Sequence, residues 1–246
     1  MGAFDDFNLL IIEVAQKTLE PMILPILDKK RNLELENVVH NQMYGIDGPT
    51  SLSRNPSNEE KYVGKIWSGF IEIYESFERL QDTEIYLRRF PLSKTSVTKE
   101  KYLRFHIEAY LHEIYIFKER LKSYLTVIQR QYKNTEYEEA IKETLEIAKR
   151  KITDGMSNII KIRDKHVHQF RFTDKRLERL SLLEFSYKNL GEDYKYLYDL
   201  SYRETKKYWL GVIRRNKEHI AILLDRYFYI IKPVIFDKKG KLRYPL

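Results

Sequence analysis

Three polar residues close a long apolar run: Arg163, Asp164 and His168, within Ile159-Ile160-Lys161-Ile162-Arg163-Asp164-Lys165-His166-Val167-His168. At about 100° per residue on a helix, Ile152, Met156, Ile159, Ile160 and Val167 gather on one face, and Arg163 stands in its middle. A guanidinium stays charged, so a face meant for burial suits it only beside a carboxylate, a phosphate or a water-lined cleft. Asp164 and His168 lie four residues apart on its flank. Arg163 would hold a phosphate through two parallel hydrogen bonds, His168 would move a proton near neutral pH, and Asp164 would orient the arginine. The same residues also fit a plain helix end, with a surface ion pair and a histidine stabilising the C-terminal dipole.

Other chemistries find less support. His166 and His168 form an H-x-H pair, but residues two apart on a helix diverge by about 200°, so no metal site is expected there. His106 has no ligand type one turn away and His112 has only Glu108, which reads as two bundle histidines. No phosphate-binding glycine loop, dinucleotide turn or H-E-x-x-H is present, and no cofactor is expected. There is no cysteine, which excludes disulfides, thiolate metal sites and cysteine nucleophiles and fits a cytoplasmic protein.

The pattern Arg163-Asp164-x-x-x-His168 has hydrophobic residues directly before the arginine and an acidic one directly after it. Set late in a helical chain, it resembles the R-x4-6-H motif of the HEPN superfamily. The resemblance implies a helical-bundle endoribonuclease that works without metal, with Arg163 and His168 as the catalytic pair and Asp164 in support. It implies RNA as substrate, a homodimer whose motifs face each other across a cleft, and an antitoxin or defence partner. A pair of copies would also account for an arginine on an apolar face, since that face would be an interface. Family members controlled by nucleotide transfer carry a tyrosine two residues past the histidine. Here Gln169-Phe170 follows, so that control is not expected. Some elaborated members have lost catalysis, and a non-catalytic helical module that binds RNA or protein is the alternative.

The 246 residues carry a net charge of +8, which favours encounter with a polyanion. Nineteen tyrosines and 12 phenylalanines supply rings for a core or for stacking on bases. The first residues are acidic and Glu13 interrupts the apolar run after them, so neither a signal peptide nor a membrane span is expected.

The elements that must position the motif are helices. The pattern predicts an all-α, up-and-down bundle of four to five long helices with additional N- and C-terminal segments. We read residues 1–246 as a single domain, with the HEPN-like core at about 99–232 and a helical extension at about 1–98. A first helix over about 4–30 should kink or split at Pro21 and Pro25. A long connection follows over about 35–58. Ser57-Asn58-Glu59-Glu60 reads as a capping box opening a helix to about Arg89, before Pro91. Leu103, Ile107, Tyr110, Ile114, Phe117, Leu121, Tyr124 and Ile128 alternate steps of four and three along a third helix, 99–132. Thr135-Glu136-Tyr137-Glu138 suggests a second capping box, whose helix turns Tyr137, Ile141, Leu145, Ala148, Ile152 and Met156 inward. Gly155 suggests a bend delivering the motif on a separate short helix. Thr173 is read as the cap of a helix to about Tyr187, and a last helix runs from about Tyr202 to before Pro233. The lysine-rich end, 237–246, reads as solvated.

Overall fold

The structure, a computed structural model, describes residues 2–32, 55–89, 97–167 and 174–245; of 21–32 and 161–167 the helical backbone alone is described. Among the described residues it is all-α, 87% helical. The described residues form five long helices, α1 (Ala3–Asn32), α2 (Asn58–Arg88), α3 (Lys99–Gln131), α4 (Glu138–Val167) and α6 (Lys195–Ile235), and a shorter α5 (Lys175–Leu190). A single 3-10 turn, Glu192–Tyr194, joins the last two. Two compact units divide the chain, and each takes part of α2, α3, α4 and α6. The first comprises Met1–Ile71, Tyr124–Glu146 and Arg226–Leu246, the second Glu72–Ser123 and Ile147–Asp225.

The first unit is built on rings. Phe7, Phe70, Phe228 and Phe236 are all fully buried or nearly so. Phe7 lies 5.4 Å from Phe70, 4.6 Å from Phe228 and 5.3 Å from Phe236, within the range where tilted rings attract. Beside them the Tyr62 hydroxyl meets that of Tyr132 at 3.0 Å, and Tyr132 donates to the Val234 and Arg243 carbonyls. The Tyr124 ring leaves no room over α2: a Cβ on Gly69 would lie 2.4 Å from it. After α6 the chain turns back. Asp237 accepts from the amides of Lys239 and Lys241, Gly240 takes a φ of +76°, and Phe236 bridges to Leu242. Lys238, Lys239 and Lys241 point to solvent, as expected.

The second unit has a mostly aliphatic core, with Tyr110, Phe117 and Trp209 also buried. Ile73, Leu80 and Leu87 of α2 are buried, with Leu103, Ile107, Ile114 and Leu121 of α3 and Ile152 and Met156 of α4. Leu177 and Leu180 of α5 and Ile213 and Ile220 of α6 complete it. Every residue of the α3 stripe named above is buried in its own unit, so the regular spacing translates directly into packing.

Local chemistry explains most element boundaries. The capping box at Ser57 forms: its amide donates to Glu60 at 2.7 Å, and the Glu60 amide donates to its hydroxyl at 3.1 Å. The second box does not. The Thr135 hydroxyl donates to the Tyr132 carbonyl, while Glu138 reaches back to the amide of Asn134, which holds a left-handed φ of 65°. Tyr137, expected inward, therefore lies before the helix and is exposed. Asp174, not Thr173, caps α5, accepting from the amides of Arg176 and Leu177; Thr173 itself lies outside the described residues. α1 stays one helix past Pro21 and Pro25, because a proline removes its own donor while the bonds around it persist. Likewise α6 runs through Pro233, and it begins at Lys195 rather than Tyr202. The connection at 35–58 lies outside the described residues as far as 54.

Candidate functional site

α4 carries the motif. Its backbone passes Gly155 without a break and stays helical to Val167, so the expected bend at 153–155 is absent. The reason is a close approach by α6: a Cβ at Gly155 would lie 2.1 Å from a methyl of Leu223. Glycine is there to admit a neighbour rather than to bend the helix. Next to it the His219 ring donates from Nε2 to the Gly155 carbonyl at 2.8 Å, a bond that fixes the neutral ring's tautomer. Spacing alone did not single out His219, which has no carboxylate or second histidine one turn away on its own helix.

Ile152, Met156, Ile159 and Ile160 are buried, so the apolar row that leads to the motif faces the core. Helical register places backbone position 163 on that row, three and four residues past Ile160 and Ile159. The side chains of Arg163, Asp164 and His166, and all of His168, lie outside the described residues. Among the described residues, no group of three His, Asp or Glu side chains could hold a metal ion, and no helix is long and apolar enough to cross a membrane.

A second polar assembly forms in the same unit where α2 ends. Glu84 accepts from Arg214 Nε at 2.7 Å, pairs with Arg88, and has Lys217 at 4.0 Å. The hydrogen bond from Arg214, followed by that from Arg88, holds the Glu84 carboxyl below its ordinary value against the opposing effect of burial. The last carbonyls of α2 are also satisfied from outside the helix. Lys206 donates to the Arg88 carbonyl at 2.7 Å, and the Tyr102 hydroxyl reaches the carbonyls of Tyr86 and Arg89. Lys206 and Lys99 lie 5.7 and 5.2 Å from the Tyr202 ring, and Lys99 also pairs with Asp199 at 2.6 Å. Burial lowers Lys206 below the usual lysine value.

His106 sits at the centre of a ring cluster on this surface. Its ring centroid is 4.3 Å from Tyr102, 5.3 Å from Phe105 and 6.1 Å from Tyr86, the last nearly parallel at 22°. Burial lowers its pKa, which keeps the imidazole neutral at pH 7. His112, by contrast, is exposed. Phe105 is 66% exposed and Tyr86 53%, although each packs against the His106 ring. Compared with protein-family models, curated proteins and solved structures, the chain matches none of them.

Proposed function

We propose that this protein is a metal-independent endoribonuclease of the HEPN type, acting in the cytoplasm as a homodimer in a defence or toxin–antitoxin setting. One observation carries the reading: the sequence pattern Arg163-Asp164-x-x-x-His168 continues the apolar row of a long helix that is described to Val167, in a chain whose described residues are all-α. The net charge of +8 agrees with an RNA substrate. In the reaction, His168 of one copy removes the proton from a 2′-hydroxyl, whose oxygen attacks the adjacent phosphorus. Arg163 stabilises the charge growing on the phosphorane, and Asp164 holds the arginine in place. The bond to the 5′-oxygen breaks, and that oxygen takes a proton from the equivalent histidine of the second copy. The products are a 2′,3′-cyclic phosphate and a free 5′-hydroxyl.

The test is cleavage of single-stranded RNA in excess chelator, with product ends identified by mass. His168→Ala and Arg163→Ala are expected to reduce the rate by at least about 100-fold, with thermal melting unchanged. Cleavage that survives His168→Ala, or that needs a divalent ion, rules the mechanism out. The exposed rings around His106 favour a second reading, a helical module that binds RNA without cutting it. That reading expects salt-sensitive RNA retention by wild type and by His168→Ala alike, with no cleavage by either.

A further inference from the structure

We infer that the surface formed by the end of α2 and the start of α3 is a stacking platform for single-stranded nucleic acid, with Tyr86 and Phe105 as base-contacting rings and Arg89 and Lys101 as phosphate contacts. That the strand is RNA rather than DNA rests on the function proposed above; the platform itself rests on its own geometry.

Three rings meet around one imidazole here, and the two outermost keep more than half of their surface in water. A fully apolar ring such as Phe105, 66% exposed, contributes little to folding where it stands. Phe105 stands off the buried α3 stripe that runs from Leu103 to Ile128. The inner members hold the outer ones. Tyr102 is tied through its hydroxyl to the carbonyls of Tyr86 and Arg89, and the His106 ring packs between Tyr86 and Phe105. Rings held in this way lose little freedom when a base settles on them.

Charge identifies the occupant. Lys101 lies one turn before Phe105 on the same row of α3, and Arg89 leaves the end of α2 beside the Tyr102 hydroxyl; both are exposed. Nearby carboxylates are already taken up: Glu100 pairs with Arg104 at 2.6 Å, and Glu84 with Arg214 and Arg88. Asp82 and Glu108, one turn from Tyr86 and Phe105, bound the platform on the side away from its cations. Ring faces flanked by cations complement bases joined by phosphates, and every base offers a face, so little sequence preference is expected. A duplex keeps its bases stacked on each other and offers the rings nothing.

The experiment measures binding by fluorescence anisotropy, using fluorescein-labelled single-stranded RNA of mixed sequence and the full chain carrying His168→Ala, so that the strand stays intact. Tyr86→Ala and Phe105→Ala are each expected to weaken binding on the order of tenfold. Tyr86→Phe and Phe105→Tyr keep a ring and should bind within about twofold of the parent. The hybridised form of the same RNA should bind more weakly than the single strand, and the salt slope should fall by about one for Lys101→Ala. Affinity unchanged in both alanine variants, or equal for strand and duplex, overturns the platform. So does absence of RNA binding by the parent, which would leave these rings as a contact for protein. Loss of cleavage in His168→Ala with binding intact bears only on the catalytic reading. Cleavage with wild-type affinity in the ring variants sinks only the platform.

Discussion

The two units differ in how far their interiors rest on aromatic residues. In the first, Phe7, Phe70, Phe228 and Phe236 fill the interior, and Tyr62 and Tyr132 bury their hydroxyls by bonding them to each other and to carbonyls. In the second, the interior is largely leucine and isoleucine, while Tyr86, Phe105, Phe185 and Tyr196 stand in solvent. A buried ring contributes on the order of 2 kcal/mol of transfer free energy, whereas an exposed one contributes little. The first unit thus centres its interior on phenylalanine rings, whereas the second sets a mostly aliphatic interior, with Tyr110, Phe117 and Trp209 buried in it, beside a group of exposed rings.

That contrast can be broken by substitution. The largest effect is expected for Phe70→Ala, which removes a ring in contact with Phe7 and Phe228 and should cost about 3–5 kcal/mol in urea unfolding. Phe105→Ala removes the same atoms from the second unit and should cost less than about 0.5 kcal/mol. Equal costs would erase the distinction.

The glycines sharpen it. Gly69→Ala drives a methyl into the fully buried Tyr124 ring, which has no room to retreat, at about 2–3 kcal/mol. Gly155→Ala meets the end of the Leu223 side chain, which can turn away, and the gain in helix propensity offsets part of the cost. Its net effect should stay within about 1 kcal/mol of zero.

The smallest effect tests the ionic side of the second unit. Glu84→Gln should cost about 1 kcal/mol at pH 7. The Glu84 pKa is lower in the folded chain than its reference of 4.5, so its contribution is present above that value and lost as pH falls further. Urea unfolding at pH 7 and at pH 3 should show the gap between wild type and variant closing at the acid end.

Much of the architecture is legible in spacing. The α3 stripe alternates steps of four and three and is buried at every position, and the Ser57 box is local chemistry that needs no tertiary context. What escaped is equally physical. The start of α6 buries Tyr198, Tyr202 and Thr205 before Trp209, a helical row whose members carry hydroxyls and so do not read as core. Thr135 resembled a cap, but the left-handed Asn134 redirected its hydroxyl to Tyr132. Gly155 signalled a bend because a glycine in a helix weakens it, whereas the deciding fact, the approach of Leu223, belongs to a segment nearly seventy residues away. Of the candidate sites, the motif at Arg163, Asp164 and His168 is a matter of spacing and so could be seen. The ring cluster could not, because Tyr86 and His106 become neighbours only once α2 and α3 pack.

Because α4 does not yield at Gly155, it behaves as a lever. Residue 163 stands eight positions, about 12 Å, further along the same rod. A tilt of about 10° at the seat formed by Leu223 and His219 would carry the backbone there by roughly 2 Å. On the nuclease reading proposed above, Gly155→Ala, almost silent in an unfolding curve, would then be loud in a cleavage assay, where misplacement by a single ångström is enough to matter.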